Sequence, residues 1–182
     1  INKTIFAVSR DELKPALSGV LFQIKNNSIL SVSTDGHRLV KYTKHGLNIN
    51  IDRDVIIPKK FLSLISSNIS QTENINLYIN ENQVIVEVGN DVFYSRVIDE
   101  RFPDFESVIP KDNNKELIVN RLDLLSTVKR ISVLSNKTTR QIALNLTKDN
   151  IKITTEDNKK SSKGFENISG RFTGEDLIIG YN

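Results

Sequence analysis

The sequence predicts an α+β protein made of a repeated unit of helix and antiparallel strands, on three observations. Short runs rich in Val and Ile, bounded by Asn-Asn, Asp-Gly and Asn-rich turns, read as strands. Two longer stretches carry a helical apolar stripe behind a start signal, Pro58 in one and Asn120 in the other. Four blocks of the first part also recur in the second, at an offset that stays between 121 and 126 residues, a constancy chance rarely maintains.

In chain order, residues 2–8 are apolar at Ile5, Phe6 and Val8 without an N-cap, and read as the last two turns of a helix. A charged loop spans 10–15, and strands are expected at 20–24, 29–33, 38–42 and 55–57. Asp35-Gly36 between two of them predicts a two-residue hairpin, whose central residues both need φ > 0. That turn leaves His37 and Arg38, two bulky polar donors, without an explanation.

Pro58 suits the first turn of a helix, where its missing N–H costs nothing. Phe61, Leu62, Leu64 and Ile65 give that helix its stripe, and Ser66, Ser67 and Asn68 end it. Strands follow at 75–79, 84–88 and 92–98, then an irregular linker at 99–114 with two prolines and several charges. After a short strand at 117–119, Asn120 caps a helix from 121 to about 134, with Asp123 at the N3 position of a capping box. Leu122, Leu125, Val128 and Ile131 would face inward, and Ser126, Lys129 and Arg130 outward.

The repeat matches 3–9 with 129–135, 20–24 with 142–146, 30–35 with 151–156, and 54–57 with 176–179. Residues 1–114 therefore form one unit plus linker, and 115–182 the first half of a second. Roughly sixty further residues are expected if the repeat runs its full length. The absence of methionine, even at position 1, leads to the same expectation, that the chain is an excerpt.

Of the 182 residues, 38% are apolar, enough for a core. With no cysteine, disulfides, thiol catalysis and zinc-thiolate sites drop out together, which fits a cytoplasmic location. There is no run of 18 apolar residues and no lipidation signal, so a membrane partner is not expected. The net charge of +3 is uneven: residues 1–114 hold 13 Lys and Arg against 14 Asp and Glu, residues 115–182 hold 12 against 8.

Catalysis finds little support. The two histidines lack neighbours at metal-ligand spacing, there is no phosphate-binding glycine loop, and Asp99-Glu100 or Asp104-Glu106 read as linker solvation. No cofactor or metal is expected, and a hydrolase using His37 with Asp35 is the weakest alternative. Lys59 and Lys60 would fall at the second and third positions of the Pro58 helix, where the macrodipole disfavours cations. With Lys3, Lys129 and Arg130 they give helices basic, small-polar faces suited to sequence-independent phosphate contact. A β-rich protein-interaction module that never meets DNA is the alternative of a different class.

The runs 15-PALSGVLF-22, 34-TDGHRL-39, 55-VIIPKK-60, 101-RFPDF-105, 134-LSN-136 and 179-IGYN-182 together resemble the bacterial sliding clamp family, the β subunit of DNA polymerase III. The resemblance covers the whole chain in order. It implies a DNA-clamp fold of three similar domains per subunit, sheets outside and helices lining a central hole. Two subunits close head to tail around double-stranded DNA as a homodimer ring, a processivity factor that is not an enzyme. This chain would hold the middle domain, less the start of its first helix, and the first half of the third.

The resemblance further implies DNA-facing Lys3, Arg10, Lys14, Lys59, Lys60, Lys129 and Arg130. It implies a pocket between the middle and third domains that receives a short linear motif from the polymerase, the clamp loader and repair proteins. The matching positions are Leu17, Thr34, Gly36, His37, Arg38, Leu39, Pro103, Val108 and Asn182. Ser107 stands where many relatives have arginine, and Thr139 where some have an aromatic residue. Val133 and Leu134 match the subunit interface, where Lys159, Lys160 and Lys163 replace an acidic patch. The second copy has Glu156-Asp157-Asn158 in place of the Asp35 turn, without the Gly-His-Arg that follows there. His37 and Arg38 thus become the rim of a partner pocket present once per subunit.

Overall fold

The computed structural model describes residues 1–182 except Asn48, Asn50, Ser70, Gln71, Thr72, Glu73, Asp149, Asn158 and Asn182. It divides into two compact units, Ile1–Ile109 and Pro110–Asn182.

In the first unit, β1 (Gly19–Lys25), β2 (Ser28–Thr34), β3 (Leu39–His45) and β4 (Arg53–Pro58) form an antiparallel sheet in the order β3-β2-β1-β4. Then come α1 (Lys59–Asn68) and a second sheet of β5 (Asn76–Ile79), β6 (Gln83–Val88) and β7 (Asp91–Arg96). Strand alternation sends Val20, Val55 and Ile57 to one side of the first sheet, where they pack with Phe61, Leu62 and Ile65 of α1 and with Val84 and Val86. Each fully buried side chain of this kind contributes roughly 1.5–3 kcal/mol. The opposite face buries Leu21, Val32 and Ile56 under Phe105.

The second unit repeats the plan. After β8 (Glu116–Val119) and α2 (Arg121–Ser132), β9 (Ile142–Leu146), β10 (Ile151–Asp157) and β11 (Ser162–Ile168) form a sheet with β13 (Leu177–Tyr181), in the order β11-β10-β9-β13. β12 (Gly170–Thr173) pairs with β8. Leu146, Ile151 and Phe172 are its core.

Several expectations are corrected. Residues 2–8 make a single 3-10 turn, Ile5–Ala7, rather than two helical turns. The Ser33 hydroxyl donates to the Thr4 carbonyl at 2.6 Å, occupying the oxygen that a continuing α-helix would offer to Val8. The charged loop at 10–15 runs on into an unforeseen second 3-10 turn, Pro15–Ser18. Pro58 caps α1 from outside, with ψ 138°, so Lys59 and Lys60 are its first two residues.

Asp35-Gly36 is not a two-residue hairpin. Thr34 pairs with Leu39, leaving a four-residue loop in which Gly36 alone has positive φ, at 90°. The two-residue geometry falls instead at Asn26-Asn27, with φ 33° and 66°, between the paired Lys25 and Ser28.

The helix at 121 ends at Ser132, and its inward face differs from the expected one. Leu122 and Leu125 are 60% and 41% exposed, whereas Thr127 and Ile131 are buried. Thr127 tolerates burial because its hydroxyl is hydrogen-bonded to Glu166 and Arg130. Asn120 does cap the helix, accepting from the amides of Leu122 and Asp123 at 2.8 and 3.2 Å.

The repeat is also sharpened. Phe22 pairs with Ser31, and Leu144 with Ile153, so the first two strands of each sheet correspond at one offset of 122. Asp35 then matches Asp157 rather than Glu156. Both aspartates accept the backbone amide two residues on, from His37 and Lys159 at 3.0 and 3.1 Å.

Candidate functional site

Loop 35–38 is held chiefly by side chains, beside one long backbone bond from the Asp35 amide to the Arg38 carbonyl at 3.4 Å. Thr34 Oγ1 accepts the Gly36 amide at 3.1 Å and donates to the Arg38 carbonyl at 2.8 Å. Asp35 Oδ1 accepts the amides of His37 and Arg38, each at 3.0 Å. These bonds satisfy three consecutive amides, and the one from Arg38 is the main reason the Asp35 carboxyl titrates below its ordinary range.

The Arg38 guanidinium folds back over the first 3-10 turn. Its Nε donates to Asp35 Oδ2 at 3.0 Å, its Nη2 donates to the Phe6 carbonyl at 3.0 Å, and the group lies 5.8 Å from the Phe6 ring centre. The Arg38 side chain is still 60% exposed. Gly36 and His37 are exposed, and Thr34 is half-buried. The sequence reading missed Phe6 and the carboxylate of Asp35 as parts of this arrangement; an Asp three residues before an Arg in a turn was the available signal.

Of the other residues expected at the peptide site, Leu17 is buried in the second 3-10 turn. Leu39 packs at the margin of the Leu21, Val32, Ile56 and Phe105 cluster, as do Phe102 and Ile109. Pro103 and Val108 are exposed on the segment that carries Phe105. Asn182 lies outside the described residues. A groove of about 790 Å³ in the first unit includes Pro103 but none of the other expected residues. Five of them, Thr34 and 36–39, thus come together on one hairpin end.

That segment is fastened to the sheet by Lys41. Its Nζ donates to Glu106 Oε1 at 2.7 Å and sits 5.5 Å from the Phe105 ring centre.

The basic residues differ in availability. Arg10, Lys60 and Lys129 are exposed, and Lys59 is half-buried at the start of α1. Lys3 stacks its ammonium 4.7 Å over Tyr42, and Lys14 lies 3.8 Å from Asp11. Arg130 is engaged most fully: Nε and Nη2 reach the two oxygens of Glu166 at 2.9 and 2.7 Å, and Nη2 also donates to Thr127. This fork lowers the Glu166 carboxyl and raises the Arg130 guanidinium. Much of the charge expected to face a polyanion there is met within the unit. Val133 and Leu134 are 80% and 41% exposed, just past the end of α2.

Among the described residues, no cluster of three or more His, Asp or Glu could hold a metal ion, and no helix is long and apolar enough to cross a membrane.

Residues 1–104 match the central domain of the DNA polymerase III beta subunit, and residues 106–182 its C-terminal domain. The whole chain is 30% identical to half of the beta sliding clamp of Pseudomonas putida. Over 75% of the chain it is 36% identical to the beta sliding clamp of Bacillus subtilis, covering 37% of that protein. The DNA polymerase sliding clamp structure from Bacillus subtilis superposes with a TM-score of 0.93 at 31% identity, over 98% of this chain and 48% of that one. A Pseudomonas aeruginosa sliding clamp bound to griselimycin gives 0.89 at 29% identity, over 100% and 50%. The chain spans about half the length of the curated relatives it matches. With both units matched in order, it belongs to the DNA polymerase III beta subunit family, the beta sliding clamps.

Proposed function

We propose that this chain is part of a DNA sliding clamp, a non-catalytic processivity factor that encircles duplex DNA as a homodimeric ring in the cytoplasm. The observation that carries the reading is the ordered match of both units to the central and C-terminal domains of one family. On this reading residues 1–114 are the central domain and its linker, and 115–182 the first half of the C-terminal domain. Val133 and Leu134 would meet the next subunit, and their exposure supports that role.

Lys3, Arg10, Lys14, Lys59, Lys60 and Lys129 would face the DNA, with Arg130 contributing least because of Glu166. Contacts that neutralise phosphate without reading bases suit a ring held on by topology. The 35–38 loop with Leu17, Thr34, Leu39, Pro103 and Val108 would receive short motifs from the polymerase, clamp loader and repair proteins. The exposed Gly36, His37 and Arg38, held on a loop with satisfied amides, support this placement.

The parent protein should stay on closed circular DNA and leave when the circle is cut; retention after linearisation would sink the topological mechanism. For the peptide site, a Gln-Leu-x-Leu-Phe peptide is titrated against wild type and Leu39→Asp, with a thermal melt of each. Equal affinities in two folded proteins would remove this loop from the account. A protein-interaction module that does not meet DNA is the second reading, favoured by the internal pairing of Arg130 and Lys14. Failure of the parent protein to load on any circle would select it.

A further inference from the structure

At one end of the second unit's sheet, two loops are locked to each other. Asn136, just past α2, donates from its side-chain amide to Asp157 Oδ1 at 3.0 Å and accepts the amides of Thr138 and Thr139 on its own oxygen. Asp157 also accepts the Lys159 amide, and it is buried. Beside this lock, the Ser162 hydroxyl donates to the Leu134 carbonyl at 3.1 Å. The Leu134 side chain covers Gly164, where an added Cβ would meet Leu134 Cδ1 at 2.5 Å. The exposed Val133 and Leu134 are therefore fixed against the loop end that carries Lys159 and Lys160.

Both carboxylates of this end are already engaged. Asp157 is buried in the lock, and Glu156 is tied to Lys163 at 2.9 Å. Lys137, Arg140, Lys159 and Lys160 are all exposed, and among the described residues none of them is paired with a carboxylate. Four cations on two locked loops repel one another, a cost that carboxylates from outside would relieve.

The remainder of a unit does not cover this end. In the first unit the matching loop, 35–38, bonds only within itself, to Thr34 and to Phe6. Among the described residues, α1 and β5 to β7 make no hydrogen bond or ion pair to it, and Phe105, which roofs that sheet, packs beside Leu39 instead. The same elements in a continued second unit would leave Lys159 and Lys160 open.

We propose that the surface meeting Val133 and Leu134 is acidic: a second copy of the parent subunit presents carboxylates to Lys137, Arg140, Lys159 and Lys160 around an apolar centre at Val133 and Leu134. This rests on the reading of those two residues as a subunit contact, and it adds the charge of the facing surface. An apolar centre with a charged rim is the build of a protein interface, in which the rim sets partner choice and orientation more than affinity. A nucleic-acid backbone fits less well, because it offers nothing apolar to Val133, which is 80% exposed. A subunit with a basic facing surface would be rejected, so the ring closes on copies of its own kind.

The test is sedimentation equilibrium of the parent protein at low and high salt, with circular dichroism to show that each variant is folded. The wild-type dimer should loosen as salt rises. The double variant Lys159→Glu with Lys160→Glu should weaken it about tenfold at low salt and less at high salt, while Lys159→Arg with Lys160→Arg should retain it. The proposal is overturned if the folded charge-reversed protein dimerises as well as wild type, or more tightly, which would show a basic facing surface. Unchanged dimerisation with weakened duplex DNA binding would overturn it in favour of a phosphate contact. Val133→Asp separates this from the underlying reading. If that variant stays fully dimeric, the subunit contact itself is lost and the acidic surface with it. If Val133→Asp breaks the dimer and charge reversal does not, only the acidic surface falls.

Discussion

Asp35 holds Arg38 at both ends: one carboxylate oxygen accepts the Arg38 backbone amide at 3.0 Å, and the other accepts its Nε at 3.0 Å. The guanidinium cannot swing away without giving up a bond to the same carboxylate that shapes the loop. A flexible side chain is thereby committed to one direction before any partner arrives, which lowers the ordering cost of binding.

Asp35→Ala should therefore act on binding more than on stability. Losing these partly exposed bonds should cost about 1 kcal/mol, or a midpoint shift of roughly 2–4 °C. Affinity for a peptide at this loop should fall severalfold. Asp35→Asn, which keeps an acceptor oxygen for the amides but not the charge for Nε, should retain most of the stability and lose part of the affinity. Calorimetric titration beside thermal melts separates the two effects.

Stability should fall with acid in a defined window. Asp35, Glu166 and Asp157 are all held below their ordinary values, chiefly by the Arg38 amide, the Arg130 guanidinium and the Asn136 side-chain amide, respectively. In the unfolded chain such carboxyls titrate near pH ~4. Because the folded values are lower, the stabilisation is complete above about pH 4 and is lost as pH falls through the folded values. The melting midpoint should be nearly flat from neutrality to about pH 5 and decline below about pH 4. Glu166→Gln should flatten that decline in circular-dichroism melts.

Strands and caps were legible because they are local: β-branched runs bounded by Asn and Gly, and Asn120 ahead of an apolar stripe. What was hidden depends on distant partners. LSVSTD at 30–35 and IKITTE at 151–156 align equally well one residue apart, and only the pairing of Phe22 with Ser31 and Leu144 with Ile153 fixes the offset. Likewise, Leu122 and Leu125 lie on a good helical stripe, but Thr127 takes the buried position because Glu166 and Arg130 satisfy its hydroxyl. The His37 and Arg38 loop was noticed from the turn residues, whereas its dependence on Phe6 spans 32 positions and has no local trace.

The basic residues should separate in a salt titration of duplex DNA binding. Each cation that meets a phosphate contributes about 0.9 to the slope of log affinity against log salt. Lys60→Ala and Lys129→Ala should each reduce the slope by close to that amount, since both ammonium groups are exposed. Arg130→Ala should leave the slope nearly unchanged while lowering the melting midpoint, because it takes the guanidinium from Glu166 and leaves that carboxylate only the Thr127 hydroxyl. A slope lost equally on Arg130→Ala would mean that the fork to Glu166 opens in the complex.

The roof over the first sheet should depend on its ring far more than on its ion pair. Phe105 is 7% exposed and packs on Leu21, Val32 and Ile56, so Phe105→Ala should cost about 3–5 kcal/mol. Lys41 and Glu106 are 39% and 62% exposed, so Lys41→Ala should cost about 0.5 kcal/mol. The two should not add: Lys41 acts by pinning Glu106 and covering the Phe105 ring, and without that ring the pin holds a segment with little left to bury. In urea unfolding followed by circular dichroism, the double variant should be about as stable as Phe105→Ala alone. Strict additivity would show instead that Lys41 stabilises β3 independently of the roof.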